Sequence, residues 1–188
     1  MRLAAVTILI TACQSHSYRL TGEADNFSDG DTLQIVDALS RKVIARPVVN
    51  DRHFAVNATT DTTLLCFVEG PDMTPGDVSF FLEPGNIYLE VKKTGGRSRV
   101  SGTHINNEWQ HLLDQLARQD TLIRQTAALL QNHDLSAKQR QTVFHKLQEQ
   151  ESHLRQLVKQ TAERNKNNAL GRFVEEHFQE TPQNNLSE

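Results

Sequence analysis

Apolar and polar residues alternate in short segments over residues 18–103, which is the pattern of β-strands with one buried face. Ile87, Leu89 and Val91, for example, alternate with polar residues. Eight such segments follow one another at spacings of about ten residues: 18–22, 32–36, 43–49, 53–56, 64–68, 78–82, 87–92 and 99–101. Their number and spacing predict an antiparallel β sandwich or open barrel.

Turn residues join these segments. Asn50-Asp51, between the third and fourth segments, predicts a β-hairpin. Gly102-Thr103 follows the last segment, where a glycine lets the chain leave the sheet and a threonine starts a helix. Either Thr103 or Asn106 is the expected N-cap of that helix.

The spacing of apolar residues changes beyond residue 103 to steps of three and four, which is typical of amphipathic helices. Ser136 and Gln139 match a capping box at the start of a second helix, which residues 165–168 end. A short third helix is predicted over 169–178, before a polar tail over 179–188. The first apolar stripe contains Trp109, Leu112, Leu113, Leu116, Ile123, Ala127 and Leu130, and the second contains Val143, Phe144, Leu147, Leu154, Leu157 and Val158.

The predicted fold class is therefore α+β, with a β sandwich over 18–103 and a helical hairpin plus a short third helix over 104–178. Two explanations of the hairpin's apolar stripes remain open. Leu116 and Ile123 are one heptad apart, which also suits a coiled coil with another chain. Packing of the helices on each other and on the sandwich is favoured, and the hairpin is the expected surface for any protein partner.

Composition supports this division, because only Gly171 and Pro182 of the nine glycines and five prolines follow residue 103. The chain has 188 residues, of which 37% are hydrophobic, and a formal net charge of −3. This charge is small and of the wrong sign for a protein that binds nucleic acid by neutralising phosphates. We therefore expect no nucleic-acid partner.

The first thirteen residues resemble a bacterial lipoprotein signal. Arg2 supplies a positive charge, residues 3–10 are almost all apolar, and the sequence Ile-Thr-Ala-Cys that ends at Cys13 is similar to a lipobox. We therefore expect a signal peptide over 1–12, a lipid-bearing Cys13, and a polar tether over 13–17. The alternative is a buried N-terminal strand that ends in a cysteine.

Acylation of Cys13 with two or more chains gives stable membrane anchoring. The next residue is Gln14 rather than the aspartate that retains many lipoproteins at the inner membrane, and no acidic run follows. The expected location is therefore the cell envelope, at the outer membrane facing the periplasm.

The second cysteine, Cys66, lies in the apolar segment 64–68. If Cys13 is acylated, Cys66 has no partner within the chain. A small buried core residue is favoured over a reactive thiol.

No arrangement of residues predicts catalysis or a metal site. A zinc site requires three or four converging ligands, whereas the histidines are scattered and favour surface positions. No Gly-x-Ser-x-Gly nucleophile motif and no phosphate-binding loop occur. We therefore assign no catalytic, cofactor-binding or metal-binding residue and expect no enzyme activity and no cofactor.

Two single residues have alternative explanations. Glu83, in the corner Glu83-Pro84-Gly85, is either a ligand contact or a carboxylate that is solvated or bonds within its turn, and the second is favoured. Trp109, near the start of the first helix, is either a carbohydrate-stacking residue or a clamp between sheet and helix, and the clamp is favoured.

Residues 18–113 resemble the domain-of-unknown-function 4369 family of lipoproteins of the Bacteroidetes type. The matching motifs are YRLTG (18–22), DGDTL (29–33), DRHF (51–54), FFLEPGNI (80–87) and VSGTHIN (100–106). In the third motif the family favours a glycine before the phenylalanine, where this chain has His53. The resemblance implies a lipoprotein with a small β domain.

Longer members of this family usually continue into a thioredoxin-like domain with a Cys-x-x-Cys pair. The segment NNALG (167–171) is similar to the helical segment that leads into that domain. This chain has no Cys-x-x-Cys pair, so the redox activity of the longer proteins is not carried over.

Two functions follow as hypotheses. The first is a lipid-anchored envelope lipoprotein that acts as a non-enzymatic binding or assembly module of unknown ligand. The alternative is the N-terminal accessory half of a thiol–disulfide oxidoreductase system whose thioredoxin-like domain is missing.

Overall fold

The computed structural model describes residues 16–94 and 96–178. The predicted signal peptide (1–12), the attachment residue Cys13 and the polar tail (179–188) lie outside the described residues. Within the described part of the chain the strands are β1 (Ser17–Asp25), β2 (Gln34–Asp37), β3 (Val43–Ala45), β4 (His53–Thr59), β5 (Leu64–Glu69), β6 (Val78–Leu82), β7 (Gly85–Lys92) and β8 (Arg99–Ser101). Each predicted β segment overlaps one of these strands.

The strands form two open four-stranded sheets. Sheet I has the order β4-β1-β7-β8, and sheet II has the order β3-β2-β5-β6. Inward-facing residues of both sheets share one hydrophobic core, for example Leu20 and Leu89 of sheet I with Ile35 and Phe80 of sheet II. Full burial of each such side chain contributes about 1.5–3 kcal/mol. The predicted sandwich is therefore confirmed.

One pair of strands departs from the antiparallel prediction. β1 and β7 run parallel, with Tyr18 opposite Gly85 and Asp25 opposite Lys92. Between β1 and β7 the chain forms β4 and all four strands of sheet II. It then returns to sheet I as β7, which lies beside β1 and runs in the same direction. An antiparallel assignment for every strand is wrong for this reason.

The predicted hairpin at Asn50-Asp51 is also wrong, although a tight turn is present. β3 pairs with β2 in sheet II, whereas β4 pairs with β1 in sheet I. Asn50 and His53 exchange two backbone hydrogen bonds of 2.9 Å across the turn. The segment before the turn is held elsewhere, because the Val49 N–H donates to the Asp31 carbonyl (2.8 Å). The turn therefore joins two sheets rather than two paired strands.

Three helices follow the sandwich in the described part of the chain: α1 (His104–Ala128), α2 (Ala137–Arg164) and α3 (Ala169–Phe178). The hydroxyl of Thr103 caps α1 by accepting a hydrogen bond from the Asn106 N–H. Of the two predicted candidates, Thr103 and Asn106, the N-cap is therefore Thr103. The capping box of Ser136 and Gln139 is present at the start of α2. The helical hairpin and the short third helix are thus confirmed.

α1 starts at the end of the sandwich where the described chain begins. Glu83 interacts with the start of α1 through Thr103, and Glu83 lines one cavity together with His16. Asp114, ten residues into α1, forms an ion pair with Arg99 of β8. Arg99 lies opposite Glu90 of β7, which lies opposite Glu23 near the end of β1. Residues 115–128 therefore extend about 21 Å further in the same direction.

α2 returns along α1 to form an antiparallel hairpin. α1 and α2 contact each other, and buried or half-buried residues recur on both at alternating steps of three and four. These residues are Leu112, Leu116, Gln119, Ile123 and Thr126 on α1 and Val143, Leu147, Gln150, Leu154, Leu157 and Thr161 on α2. At the base of the hairpin, Arg164 lies 3.6 Å from the Glu108 carboxylate. The apolar stripes thus meet within one chain.

Polar residues occupy part of this helix–helix seam. The Gln150 side-chain amide donates to the Thr126 hydroxyl (3.0 Å), and Thr126 and Gln119 are buried. Two residues assigned to the apolar stripes are instead on the outside, because Ala127 is exposed and the Phe144 side chain is 52% exposed. A buried polar pair of this kind fixes the register of a coiled coil at a cost in stability.

Candidate functional site

Two side-chain amides of α1 close the open edge of the sandwich. The Asn106 side chain accepts a hydrogen bond from the Phe81 N–H (2.8 Å) and donates one to the Phe81 carbonyl (2.7 Å), at the free edge of β6. One turn later, the Gln110 side chain accepts a hydrogen bond from the Val100 N–H (2.8 Å), at the free edge of β8. Because β6 and β8 belong to different sheets, α1 holds both sheets together.

Trp109 lies between these two amides and is buried. Its indole N–H donates to the Ser79 carbonyl (3.2 Å), and its ring makes edge-on contacts with Phe81 of β6 and Phe173 of α3. Trp109 is therefore a clamp between sheet and helices, as predicted, and its ring is not available for stacking on a sugar.

A polar cavity of about 320 Å³ lies where β7, β8 and α1 meet. Its titratable lining residues are Tyr88, Glu90, Arg99, His111 and Asp114. These residues come from three elements that the Gln110 hydrogen bond holds in place. The cavity is the strongest candidate for binding a small polar group.

An ion pair forms one wall of this cavity. The Arg99 guanidinium donates to both carboxylate oxygens of Asp114 (3.3 and 2.9 Å), and the Gln110 amide donates to the same carboxylate (3.0 Å). Burial works to raise the pKa of Asp114, but the hydrogen bonds from Arg99 and Gln110 and the charges of Arg99 and Arg97 outweigh it, so the pKa lies below its usual range. Asp114 is thus a fixed anion already neutralised by Arg99.

The outer face of sheet I continues the polar surface beyond the cavity. His53, Glu23, Glu90 and Arg99 lie side by side across β4, β1, β7 and β8. Tyr88 stands beside this row, and burial, its hydrogen bond to Glu23 and the neighbouring carboxylates raise its pKa. Tyr88 therefore stays protonated, and the two adjacent glutamates make the centre of this face acidic.

Glu83 lies at the N-terminal end of α1, where a carboxylate is favoured. Burial raises the pKa of Glu83, and the hydrogen bonds from the Thr103 hydroxyl and the Ile105 N–H, with the charge of His104, act against that rise. These contacts assign Glu83 to the junction between sandwich and helix. The favoured interpretation, a solvated carboxylate or one that bonds within its turn, is therefore wrong, because Glu83 is half-buried and its partners belong to the start of α1.

Cys66 lies in the core with no exposed surface. Burial is the main cause that raises the pKa of its thiol to about 12, and the nearby Asp37 carboxylate adds to the rise. A thiol with such a pKa is not a nucleophile at neutral pH. The prediction of a buried structural residue is confirmed.

The eight histidines are exposed, which confirms their predicted surface positions. His111 lies at the polar cavity, and His177 stacks on Phe173 with ring centres 4.3 Å apart. Among residues 16–94 and 96–178, no group of three or more His, Cys, Asp or Glu side chains is arranged to hold a metal ion.

A second cavity, of about 660 Å³, is a largely apolar groove between α2 and α3. Leu154 and Val158 of α2 face Val174 and Phe178 of α3 across it. Its rim carries charged residues of both signs, including Lys159 and Glu175.

The sequence did not identify Asn106 and Gln110 as the residues that join the sheets. They are four residues apart and stand on the same helix face as Ile105 and Trp109, which are buried. Amides at such positions need buried partners, because an unpaired buried polar group is costly. This spacing is the signal that could have predicted their role.

Comparison of the chain with protein-family models and with curated proteins finds no match. The resemblance to the domain-of-unknown-function 4369 family therefore depends on the motifs in the chain alone. In the described part of the chain, no helix has the length and apolar character needed to cross a membrane.

Proposed function

We propose that the protein is a lipid-anchored protein of the cell envelope, attached through Cys13 at the outer membrane and facing the periplasm. Its helical hairpin acts as a non-enzymatic binding or assembly module. The lipobox-like sequence before Cys13 and the family resemblance support the anchor, and the shape of the folded part supports the role of the hairpin.

One observation carries this proposal: the start of the described chain and the turn of the hairpin lie at opposite ends of the molecule. His16 lies beside the start of α1, and it is three positions after Cys13, so an extended chain spans at most about 10 Å between them. The turn between α1 and α2 lies beyond the other end of the sandwich. A lipid at Cys13 therefore leaves the hairpin turn clear of the anchored end.

The hairpin also exposes large apolar side chains. Leu129 and Phe144 are about half exposed, at 51% and 52%, and Leu122 is 45% exposed. Apolar side chains that come together on a projecting element can form a protein contact site. We infer that the unidentified ligand of the module is another protein.

Anchoring is tested by the substitution Cys13→Ala. It should move the protein out of the membrane fraction and abolish labelling by a fatty-acid analogue, because the acylated atom is missing. Cys66→Ala is the matched control, since it removes the only other cysteine and should leave both readouts unchanged. Unchanged membrane retention of Cys13→Ala would contradict the anchor.

The role of the hairpin is tested by placing a photo-crosslinking amino acid at Leu129 and, separately, at Leu39. Leu39 is 94% exposed in a turn of the sandwich and serves as the control. Illumination of intact cells should give a discrete adduct at Leu129 and none at Leu39. Equal labelling at both sites, or turnover of a substrate that depends on Glu90 in the polar cavity, would overturn the proposed binding role.

A further inference from the structure

We propose that the edge of β4 is an interface through which a second copy of this chain pairs, so that two sheets I join into one eight-stranded sheet. This inference goes beyond the proposed function, because it does not depend on Cys13 or on the hairpin. It rests on the outward-pointing backbone groups of β4 and on the protection of the other three sheet edges, of which two are covered by α1 and one is a short strand.

The hydrogen-bond pattern shows which backbone groups of β4 face the open edge. The Ala24 N–H donates to the Arg52 carbonyl (2.7 Å), and the Thr60 N–H donates to the His16 carbonyl (2.8 Å). Bonded pairs alternate along an antiparallel ladder, so the even-numbered residues of β4 bond β1. The N–H and C=O groups of Ala55, Asn57 and Thr59 therefore point away from β1.

The other edges of the two sheets are protected. α1 covers β6 and β8 through the Asn106 and Gln110 hydrogen bonds, and β3 has only three residues. β4 has seven residues in unbroken register with β1, and it contains no lysine, proline or bulge. Exposed strand edges in soluble proteins normally carry one of these protections. β4 is thus the edge open to strand pairing.

The sequence of β4 is complementary to itself in the antiparallel direction. If Asn57 lies on a two-fold axis opposite the second copy's Asn57, Ala55 lies opposite the second copy's Thr59, and all six outward-pointing backbone groups of each strand find partners. Val56, which is half-buried, then lies opposite the second copy's Ala58. All these side chains are small or neutral, so no like charges meet.

The side chains at the ends of the strand are compatible with the same register. His53 then lies opposite the second copy's Asp61, and although each already lies near a partner in the single chain (Glu23 at 3.9 Å and His16 at 3.5 Å), the two side chains are 65% and 93% exposed. The pairing occurs twice because of the two-fold axis. Asn57 lies opposite Arg19 of β1, three residues after His16, so the described segments of the two copies begin close to the axis, one on either side.

The register is tested by cysteine crosslinking in the full-length chain carrying Cys13→Ser, in which the remaining Cys66 is buried. Residues opposite each other in a bonded pair have Cα atoms about 5.5 Å apart, within the range of a disulfide. Asn57→Cys should form a disulfide-linked dimer on oxidation. A chain with only Ala55→Cys, or only Thr59→Cys, should form no disulfide-linked dimer on oxidation, whereas a mixture of the two chains should form one.

Thr21→Cys is the matched control, because Thr21 is on the same outer face but in the central strand β1, opposite Ala55. It should not crosslink. Crosslinking of Ala55→Cys with itself, or equal crosslinking of Thr21→Cys, would overturn the proposed register.

The dimer itself is tested by sedimentation of the same full-length Cys13→Ser chain. We expect a reversible dimer with a micromolar dissociation constant, because edge pairing alone buries little surface. Asn57→Pro removes an N–H that points to the open edge and keeps every bond to β1. It should weaken dimerisation at least about tenfold, through loss of two hydrogen bonds, while circular dichroism confirms an unchanged fold.

A chain that stays monomeric at millimolar concentration would overturn the proposal, and so would a dimer that Asn57→Pro leaves intact. Binding of an extended peptide of another protein to the β4 edge of such a monomer would identify the alternative occupant. Membrane retention of the chain with Cys13 intact should be unaffected by Asn57→Pro. Failure of the dimer and failure of the lipid anchor are therefore distinguishable.

Discussion

Asn106 and Gln110 are neighbours on one turn of α1, yet their side chains bond strands of different sheets. Asn106 reproduces both hydrogen bonds that a further strand would make to Phe81 of β6. Gln110 supplies an acceptor to Val100 of β8 and holds the Asp114 carboxylate at the polar cavity. The helix thus takes the place of a closing strand and fixes the hairpin to the sandwich.

Asn106→Ala should lower the free energy of unfolding by about 2–4 kcal/mol, because it leaves the N–H and C=O of Phe81 buried without partners. Asn107→Ala is the matched control. Its exposed side chain accepts only from the Gly102 N–H (3.1 Å), so its cost should be below about 1 kcal/mol. Urea unfolding measures both, and equal losses would contradict the assigned role of Asn106.

Gly102→Ala should destabilise the chain more than Gly30→Ala does. Both glycines have positive φ, at +109° and +92°, so both substitutions carry a backbone cost of about 1 kcal/mol. A Cβ at Gly102 would also lie 2.2 Å from the Asn86 carbonyl oxygen, whereas nothing lies within 4 Å at Gly30. We expect an additional loss of at least about 2 kcal/mol for Gly102→Ala by thermal unfolding. Similar midpoints for the two variants would show that the β8–α1 junction is less tightly packed.

Cys66 should resist alkylation by iodoacetamide at pH 8 in the folded chain and react fully in urea. Its raised pKa, about 12, means that folding favours the protonated thiol. This contribution to stability is complete below the unfolded pKa of about 8.5 and is lost as the pH rises toward 12. The Cys66→Ala variant should therefore lose less stability than the parent chain between pH 9 and pH 11. Rapid labelling of the native thiol would contradict the burial.

Asp114→Asn should remove part of the acid sensitivity of the fold. The pKa of Asp114 is lowered when folded, so its ion pair with Arg99 stabilises the chain above the unfolded pKa of about 3.9 and this contribution is lost as the pH falls. Because both side chains are partly exposed, the contribution is only about 0.5–1 kcal/mol. Urea unfolding at pH 7 should separate parent and variant by this amount, and the two should converge at pH 2. A constant difference at both pH values would assign the effect to packing instead.

Gln150→Leu should stabilise the hairpin. The side-chain oxygen of Gln150 is buried without a hydrogen-bond partner among the described residues, whereas its amide bonds Thr126. Leucine at this seam position removes the unpaired oxygen and adds apolar contact, and the Thr126 hydroxyl can donate instead to the Leu122 carbonyl four residues earlier on its own helix, for an expected net gain of about 1 kcal/mol. Gln148→Leu, on the exposed side of α2, is the control and should change the thermal midpoint little. A loss of stability in Gln150→Leu would show that the polar pair contributes more than its desolvation costs.

Local patterns predicted the secondary structure well because the signals lie within each element. The third helix was predicted over 169–178 and is found at Ala169–Phe178, since residues 165–168 favour a helix end and a new start. The capping box at Ser136 identified the start of α2 for the same reason. The polar cavity could not be predicted in this way, because Glu90, Arg99 and Asp114 become neighbours only after β7, β8 and α1 have packed.

The pattern of apolar and polar residues did not predict which distant segments pair with each other. The alternation in 18–22 and 87–92 shows that both are strands with one buried face, and says nothing about their relative direction. The wrong hairpin at Asn50-Asp51 has the same origin, because a turn sequence identifies a reversal of the chain but not the sheet that each side joins. Only the packed core, with Leu20 beside Ile87, determines these choices.

The parallel pairing of β1 with β7 has a consequence for the order in which the chain folds. β1 comes first among the strands, but its neighbour on one side, Gly85–Lys92, follows every strand of sheet II in the sequence. Contacts between residues so far apart in sequence form slowly. We therefore expect the docking of β7 beside β1 to be a late step, so that one edge of Ser17–Asp25 stays without its strand partner until sheet II has formed.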